Sequence, residues 1–225
     1  MVAGVTTATA VSAPTGGVPV RNKSVSDSWA FRHRGLLGAA CLVPAALAAI
    51  FGAPTVADTG STAWLLDLLG WALFLAYVSM RIWATLYIGG SKDQRLASTG
   101  PYSITRNPLY LGGLCFALSA ACFLKSVWVI GLTLVAVWIY FHWVISAEEG
   151  VLEGLFGQAF VAYKRSTPRV IPRFSGYQAG PTVEVNVRAL RTEAKRLWVA
   201  SLMPFVGLHA AQIRHAVSLL SLRLR

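Results

Sequence analysis

LYLGGLCFALSAACFLKSVWVIGLTLVAVWIYFHWVISAEE (Leu109–Glu149) holds two apolar runs, Leu109–Leu124 and Val127–Ala147, parted only by Lys125 and Ser126. A helix needs about 20 apolar residues to cross a bilayer, so both runs read as membrane helices, the first slightly short. Two polar residues leave room for nothing but a reversal, which predicts an antiparallel helical hairpin. Gly112, Gly113, Ala117 and Ala121 are small enough to let its two helices approach closely. The reversal also predicts that the start of the first helix lies beside the end of the second.

Two more apolar runs precede the hairpin. Leu36–Phe51 is uncharged and broken only by Pro44, with Gly35 and the residues out to Val56 supplying the rest of a span. Trp64–Ile88 carries Asp67 near one end and Arg81 near the other, where an arginine reaches headgroups by snorkelling. Of the 225 residues 55% are hydrophobic and 13% charged, against roughly 25% charged in soluble domains. The prediction is an all-α, polytopic membrane bundle of about four transmembrane helices around a hairpin core.

The net charge of +11 does not point to nucleic acid, because the basic residues flank apolar runs instead of sharing one solvated face. They follow the positive-inside pattern. The first connection, about Ala53–Ala63, has no Lys or Arg and the hairpin turn has one, whereas the second connection has Lys92, Arg95 and Arg106. Both termini and the 89–108 loop are therefore expected to be cytoplasmic, in a multi-pass protein of the cell (inner) membrane. Cys41, Cys115 and Cys122 lie inside apolar runs without a CxxC pair, which argues against a disulfide framework and a zinc site.

Residues 1–34 read as a flexible cytoplasmic tail and 175–225 as a basic, helical C-terminal region after the break at Gly176, Gly180 and Pro181. Val187, Leu190, Ala194, Leu197 and Trp198 recur at helical spacing among Arg188, Arg191, Lys195 and Arg196. Such a helix is expected to lie on the inner leaflet, the rival being a docking helix for a partner or second subunit.

Polar groups at a membrane boundary are costly and mark candidate sites. The first cluster runs from Gly100 to Gly112 and includes Tyr102, Arg106, Asn107, Pro108 and Tyr110. Pro108 suits a helix start, and exposed N–H groups there beside Arg106 would form an anion site; a capped helix with a snorkelling arginine is the plainer alternative. The second cluster is Glu148-Glu149, whose side chains point about 100° apart on a helix. One acid can neutralise Arg106 or Arg169, or hold a ligand's ammonium or hydroxyl group. His142, seven residues before Glu149, is expected on the same face.

Gly100-Pro101-Tyr102, Arg106-Asn107-Pro108-x-Tyr110-x-Gly112, Glu148-Glu149-x-x-Leu152-x-x-x-Phe156-Gly157, Tyr163 and Pro168-Arg169-x-x-Pro172 together resemble the isoprenylcysteine carboxyl methyltransferase and phospholipid methyltransferase superfamily. The upstream Lys92-Asp93-x-x-Leu96 is similar as well. Asn107 stands where the family commonly has His, so an acid–base role there is lost, and Phe160 stands where it often has Tyr. The resemblance implies that residues 35–174 form a membrane methyltransferase domain. It implies an S-adenosylmethionine pocket containing Gly100, Tyr102, Arg106, Asn107, Tyr110, Glu148, Glu149 and Arg169, with Arg106, Asn107 and Glu149 closest to the chemistry. The implied acceptor is lipid-like or membrane-partitioned: a prenylcysteine carboxylate, a phospholipid amine or a thiol. No metal is implied, and a homo-oligomer would form through the C-terminal helix. A membrane enone or sterol-type reductase with a nicotinamide cofactor, and a non-catalytic membrane adaptor, are the alternatives.

Overall fold

A computed structural model of the chain describes residues 29–52, 54–57, 60–88, 95–180, 183, 185–209 and 212. The tail expected over 1–34 falls outside the described residues up to residue 28, as do Lys92-Asp93, Pro181 and 213–225. Among the described residues all regular structure is helical: α1 (Trp29–Phe51), α2 (Ser61–Ile88), α3 (Pro101–Ile104), α4 (Pro108–Phe123), α5 (Val127–Tyr140), α6 (Ser146–Phe156), α7 (Gln158–Ser166), α8 (Val187–Ala200) and α9 (Leu202–Leu208). A wide π turn, Phe141–Ile145, joins α5 to α6 without a break. Two helices, Ser61–Ile88 and Val127–Phe156, are long and apolar enough to cross a bilayer; the apolar stretches Leu36–Ala49 and Pro108–Phe123 are shorter.

The short turn does reverse the chain between α4 and α5. Lys125 adopts φ 51° there, and its carbonyl accepts the amides of Thr55 and Val56 at 3.1 Å. Its ammonium pairs with Asp67 at 3.1 Å. This end of the bundle is thus tied by the turn itself. The close α4–α5 packing predicted from small residues is not what forms. The most extensive contact is between α2 and α4, while α1 covers α5. Gly112 faces Arg81 of α2, where a Cβ would lie 3.2 Å from the Arg81 side chain, and Ser119 Oγ donates to the Gly70 carbonyl at 2.7 Å. At its other end the hairpin is held apart by rings. Tyr110 meets Tyr140 and Phe141 edge-on, at centroid separations of 6.0 and 5.8 Å.

The π turn overturns a second expectation. Its extra width rotates the following residues relative to a continuous α-helix, so His142 and Glu149 do not share a face. His142 is exposed and stacks on Trp138, whereas Glu149 points inward. Ser146 Oγ bonds back to the His142 carbonyl, satisfying an acceptor in the widened stretch.

The C-terminal helices do not lie flat across the bundle end. Glu193 of α8 binds Arg81 of α2, and Phe205 of α9 meets Trp71, earlier on α2, at 6.2 Å. The segment therefore climbs antiparallel along α2. Its bundle-facing side is Ala189, Leu190, Glu193, Leu197 and Ala200, centred on the acid instead of on the apolar stripe that the spacing suggested.

Gly100, which opens α3, has φ 60°, and a Cβ there would lie 2.3 Å from the Tyr87 ring. Gly100→Ala combines left-handed strain with overpacking, and should cost about 2–4 kcal/mol. A lower unfolding midpoint in mixed micelles is the expected reading, and an unchanged midpoint would contradict this packing.

Candidate functional site

The loop before α4 is held by the segment after α7. The Arg106 amide donates to the Pro168 carbonyl at 2.9 Å, the Arg173 amide to Ile104 at 2.9 Å, and the Gly100 amide to Gln178 at 2.8 Å. Side chains complete the belt. Thr105 Oγ1 donates to the Val170 carbonyl at 3.0 Å, Asn107 Nδ2 to the Arg169 carbonyl at 2.9 Å, and Tyr163 Oη to the Tyr102 carbonyl at 2.6 Å. These bonds consume backbone groups that the Gly-Pro and Asn-Pro turns leave without helical partners.

Above this belt the two polar clusters converge. Arg106 Nη2 lies 3.2 Å from Glu149 Oε1, and Arg169 Nε lies 3.5 Å from Glu149 Oε2. Tyr110 Oη donates to Glu148 Oε1 at 2.7 Å. The helical 100° offset separates the two acids as expected: one neutralises arginines and the other meets a phenol. Ser146 Oγ accepts from Arg169 at 2.7 Å, which fixes that guanidinium beside Glu149.

A cavity of about 860 Å³ opens beside these groups, within the range of small-molecule sites. Tyr102, Arg106, Asn107, Tyr110, Glu148 and Glu149 line it. Two of the expected residues do not. Gly100 is packed under Tyr87, and the Arg169 guanidinium reaches the site through Glu149. Asn107 commits its amide to the Arg169 carbonyl, and its own carbonyl accepts the Tyr110 and Leu111 amides. The expected anion site thus loses the Tyr110 amide to the helix's own turn.

Three polar atoms of cavity-lining residues are buried without hydrogen-bond partners among the described residues: Tyr102 Oη, Arg106 Nε and Glu149 Oε1, the last held only by its ion pair with Arg106. Tyr102 is only 6% exposed, and burial raises its phenol pKa far above the ordinary value of 10. Burial does the same to Tyr163. Both phenols remain proton donors throughout the physiological range. The opposite end of the cavity is apolar, lined by Leu42, Gly113, Leu114, Ala117, Ala136 and Val137. It occupies the gap left by the splayed hairpin.

The sequence reading did not single out the third wall. Arg81, read as a snorkelling residue, turns inward to a two-point ion pair with Glu193, at 2.6 and 2.8 Å. Both line the cavity, and Glu193 is 4% exposed. The signal was an acid inside a strongly basic helix, in a chain with nine acids against twenty basic residues. Among the described residues no three His, Cys, Asp or Glu side chains group as a metal site.

Fold and site are those of an all-helical chain, among its described residues, with two helices long and apolar enough to cross a bilayer. A sequence signature of phospholipid methyltransferases matches residues 61–159, and the chain belongs to that family, which includes isoprenylcysteine methyltransferase-like proteins. Three relatives are informative in extent. The chain is 31% identical over 173 residues to the nickel-cobalt-cadmium resistance protein NccN of Alcaligenes xylosoxydans xylosoxydans, covering 76% of this chain and 80% of that one. It is 34% identical over 123 residues to the cobalt-zinc-cadmium resistance protein CzcN of Cupriavidus metallidurans, covering 54% of this chain and 56% of that one. It is 30% identical over 82 residues to the protein-S-isoprenylcysteine O-methyltransferase of Schizosaccharomyces pombe, covering 36% of this chain and 35% of that one. The match thus spans about half of CzcN and a third of the yeast enzyme. No solved structure matches the chain significantly.

Removing one member of a buried ion pair strands the other charge. Glu193→Leu and Arg81→Met should each cost about 3 kcal/mol, and the double variant should recover most of that loss. Unfolding in mixed micelles measures the cycle; strictly additive losses would mean that the two groups do not interact.

Proposed function

We propose that the cavity binds S-adenosylmethionine at its polar end and passes the methyl group to a lipid-soluble acceptor held in its apolar end. The observation that carries this reading is the continuity of the two ends. One cavity joins unpartnered polar donors and a pair of acids to an apolar lobe. The donor set fits the cofactor. Arg106 suits its carboxylate, Glu148 with Tyr110 suits its ammonium or ribose hydroxyls, and the unpartnered Tyr102 hydroxyl supplies a further hydrogen bond.

A sulfonium donor supplies an activated methyl carbon, so the protein's task is alignment and exclusion of water. Arg106 holds the anionic end of the donor, with its charge balanced by Glu149. Glu149 in turn fixes Arg169, and Asn107 fixes the same segment through the Arg169 carbonyl; both act as positioning residues. Tyr110 orients Glu148. The apolar wall excludes water from the acceptor, which presents a carboxylate, thiolate or amine nucleophile on an apolar tail. In this reading α1, α2, α4 and the α5–α6 helix are four spans, and the lysine and arginine distribution turns the polar end toward the cytoplasm of the inner membrane. The acceptor arrives from the bilayer and the donor from the cytosol.

Tyr102→Phe removes a hydroxyl that has no hydrogen-bond partner among the described residues. It should leave stability unchanged and weaken S-adenosylmethionine binding about tenfold, as expected for one lost hydrogen bond. Glu149→Ala should abolish binding. Calorimetry and ligand-induced thermal stabilisation in detergent report both. Unaltered affinity in both variants would sink the pocket, and stabilisation by a nicotinamide nucleotide instead would favour a reductase.

A further inference from the structure

The outer side of α8 and α9 carries Trp198, Val199, Leu202, Phe205 and Val206, all more than half exposed, with Trp198 at 77%. The charges of this region are confined to its first part. Arg188, Arg191, Lys195 and Arg196 all precede residue 197, and 197–208 contains no charged side chain. The two parts sit at different heights on α2. Glu193 binds Arg81, at the level of the cavity's polar end. Phe205 meets Trp71, and Gly207 approaches Phe123, the last residue of α4, so closely that a Cβ would lie 2.6 Å from it.

The twelve residues from Glu193 to Phe205 rise about 18 Å as helix, and the ten from Arg81 back to Trp71 about 15 Å. The two paths agree, so the segment follows α2 closely through half or more of a hydrocarbon layer about 30 Å thick. Beside 198–206, α2 itself exposes Leu69 and Leu75, and Leu65 and Leu68 extend that apolar surface one to two turns further along α2. The apolar side of the C-terminal segment continues that surface.

We infer that residues 197–208 are inserted in the hydrocarbon layer against α2 and α4, with their outer face meeting lipid acyl chains, while the basic part of α8 stays at headgroup level. The inference rests on α2 crossing the bilayer and is independent of methyl transfer. Its physical basis is the segregation of charge along the segment. Four cations belong beside anionic headgroups, and a contiguous exposed patch of this composition is unfavourable in water. Glu193 does not have to enter the hydrocarbon as a free charge, because Arg81 neutralises it at the boundary. An in-plane surface helix would instead place Phe205 and Arg191 at equal depth.

The test uses the full-length protein in vesicles of phosphatidylcholine and phosphatidylglycerol, with Cys41, Cys115 and Cys122 replaced by Ala. A nitroxide is attached at Phe205→Cys, at Val206→Cys and, as the reference, at Arg191→Cys. Collision rates with oxygen, which concentrates among acyl chains, are compared with those of a water-soluble nickel chelate. Variants that keep wild-type helicity and elution are read. The expected result is oxygen dominating at 205 and 206, and the nickel chelate dominating at 191. Nickel dominating at 205 and 206 would place the segment in water. Exclusion of both relaxers from both positions would show a protein-covered face, such as a contact with a second copy. Either result overturns the inference.

Discussion

The arrangement depends on one electrostatic constraint: Glu149, just past the apolar part of a long helix, must not be left as an isolated buried charge. Arg106 and Arg169 satisfy it from two different segments, at 3.2 and 3.5 Å. Desolvating a carboxylate costs several kcal/mol unless cations and hydrogen bonds replace the water. The pairing therefore fixes the loop before α4 and the segment after α7 against α6. The backbone belt from Gly100 to Gln178 hardens that junction, and Asn107 contributes through the Arg169 carbonyl. The polar end of the cavity is a by-product of this charge balancing, since the groups that neutralise one another also face a common space.

The apolar end has a different origin. A hairpin with a two-residue turn closes tightly only where nothing bulky intervenes. At the Lys125 end it does close, with Asp67 and the Thr55–Val56 amides holding the turn. At the opposite end Tyr110, Tyr140 and Phe141 keep the helices apart, and α4 turns its closest contacts to α2. The π turn then rotates Glu148 and Glu149 inward and leaves His142 outside. A wide turn of this kind lies beside functional sites in many helices, and here it decides which polar side chains reach the cavity.

Much of this was legible from residues alone. Apolar runs located α2 and α4 and the start of α5 closely, although α1 begins at Trp29, before its run, and the α5–α6 helix continues past its run to Phe156. Pro108 marked the start of α4, and the brevity of Lys125-Ser126 brought Arg106 and Tyr110 to the Glu148-Glu149 pair. Each of those inferences rests on local chemistry or on chain length. What escaped depends on choices between distant partners. Nothing in the pattern of Gly112, Gly113 and Ala117 says whether α4 packs on α2 or on α5. No residue at 141–145 announces an extra-wide turn, so periodicity placed His142 on the wrong face. Glu193 and Arg81 are 112 residues apart, and only their shared rarity as membrane-level charges hinted that they would meet. The amphipathic pattern of α8 likewise misled, because the face that docks is centred on its acid.

The central claim is that a nucleoside-bearing methyl donor occupies the polar end of the cavity, between the loop before α4 and the end of the α5–α6 helix. Photolysis of an azido-adenine analogue of S-adenosylmethionine, on membranes holding the intact protein, followed by peptide mapping, tests it most directly. The account predicts labelling confined to peptides within 95–110 and 148–163 and suppressed by excess S-adenosylmethionine. Label at the Asp67–Lys125 end, or scattered over lipid-facing helices without competition, would contradict it.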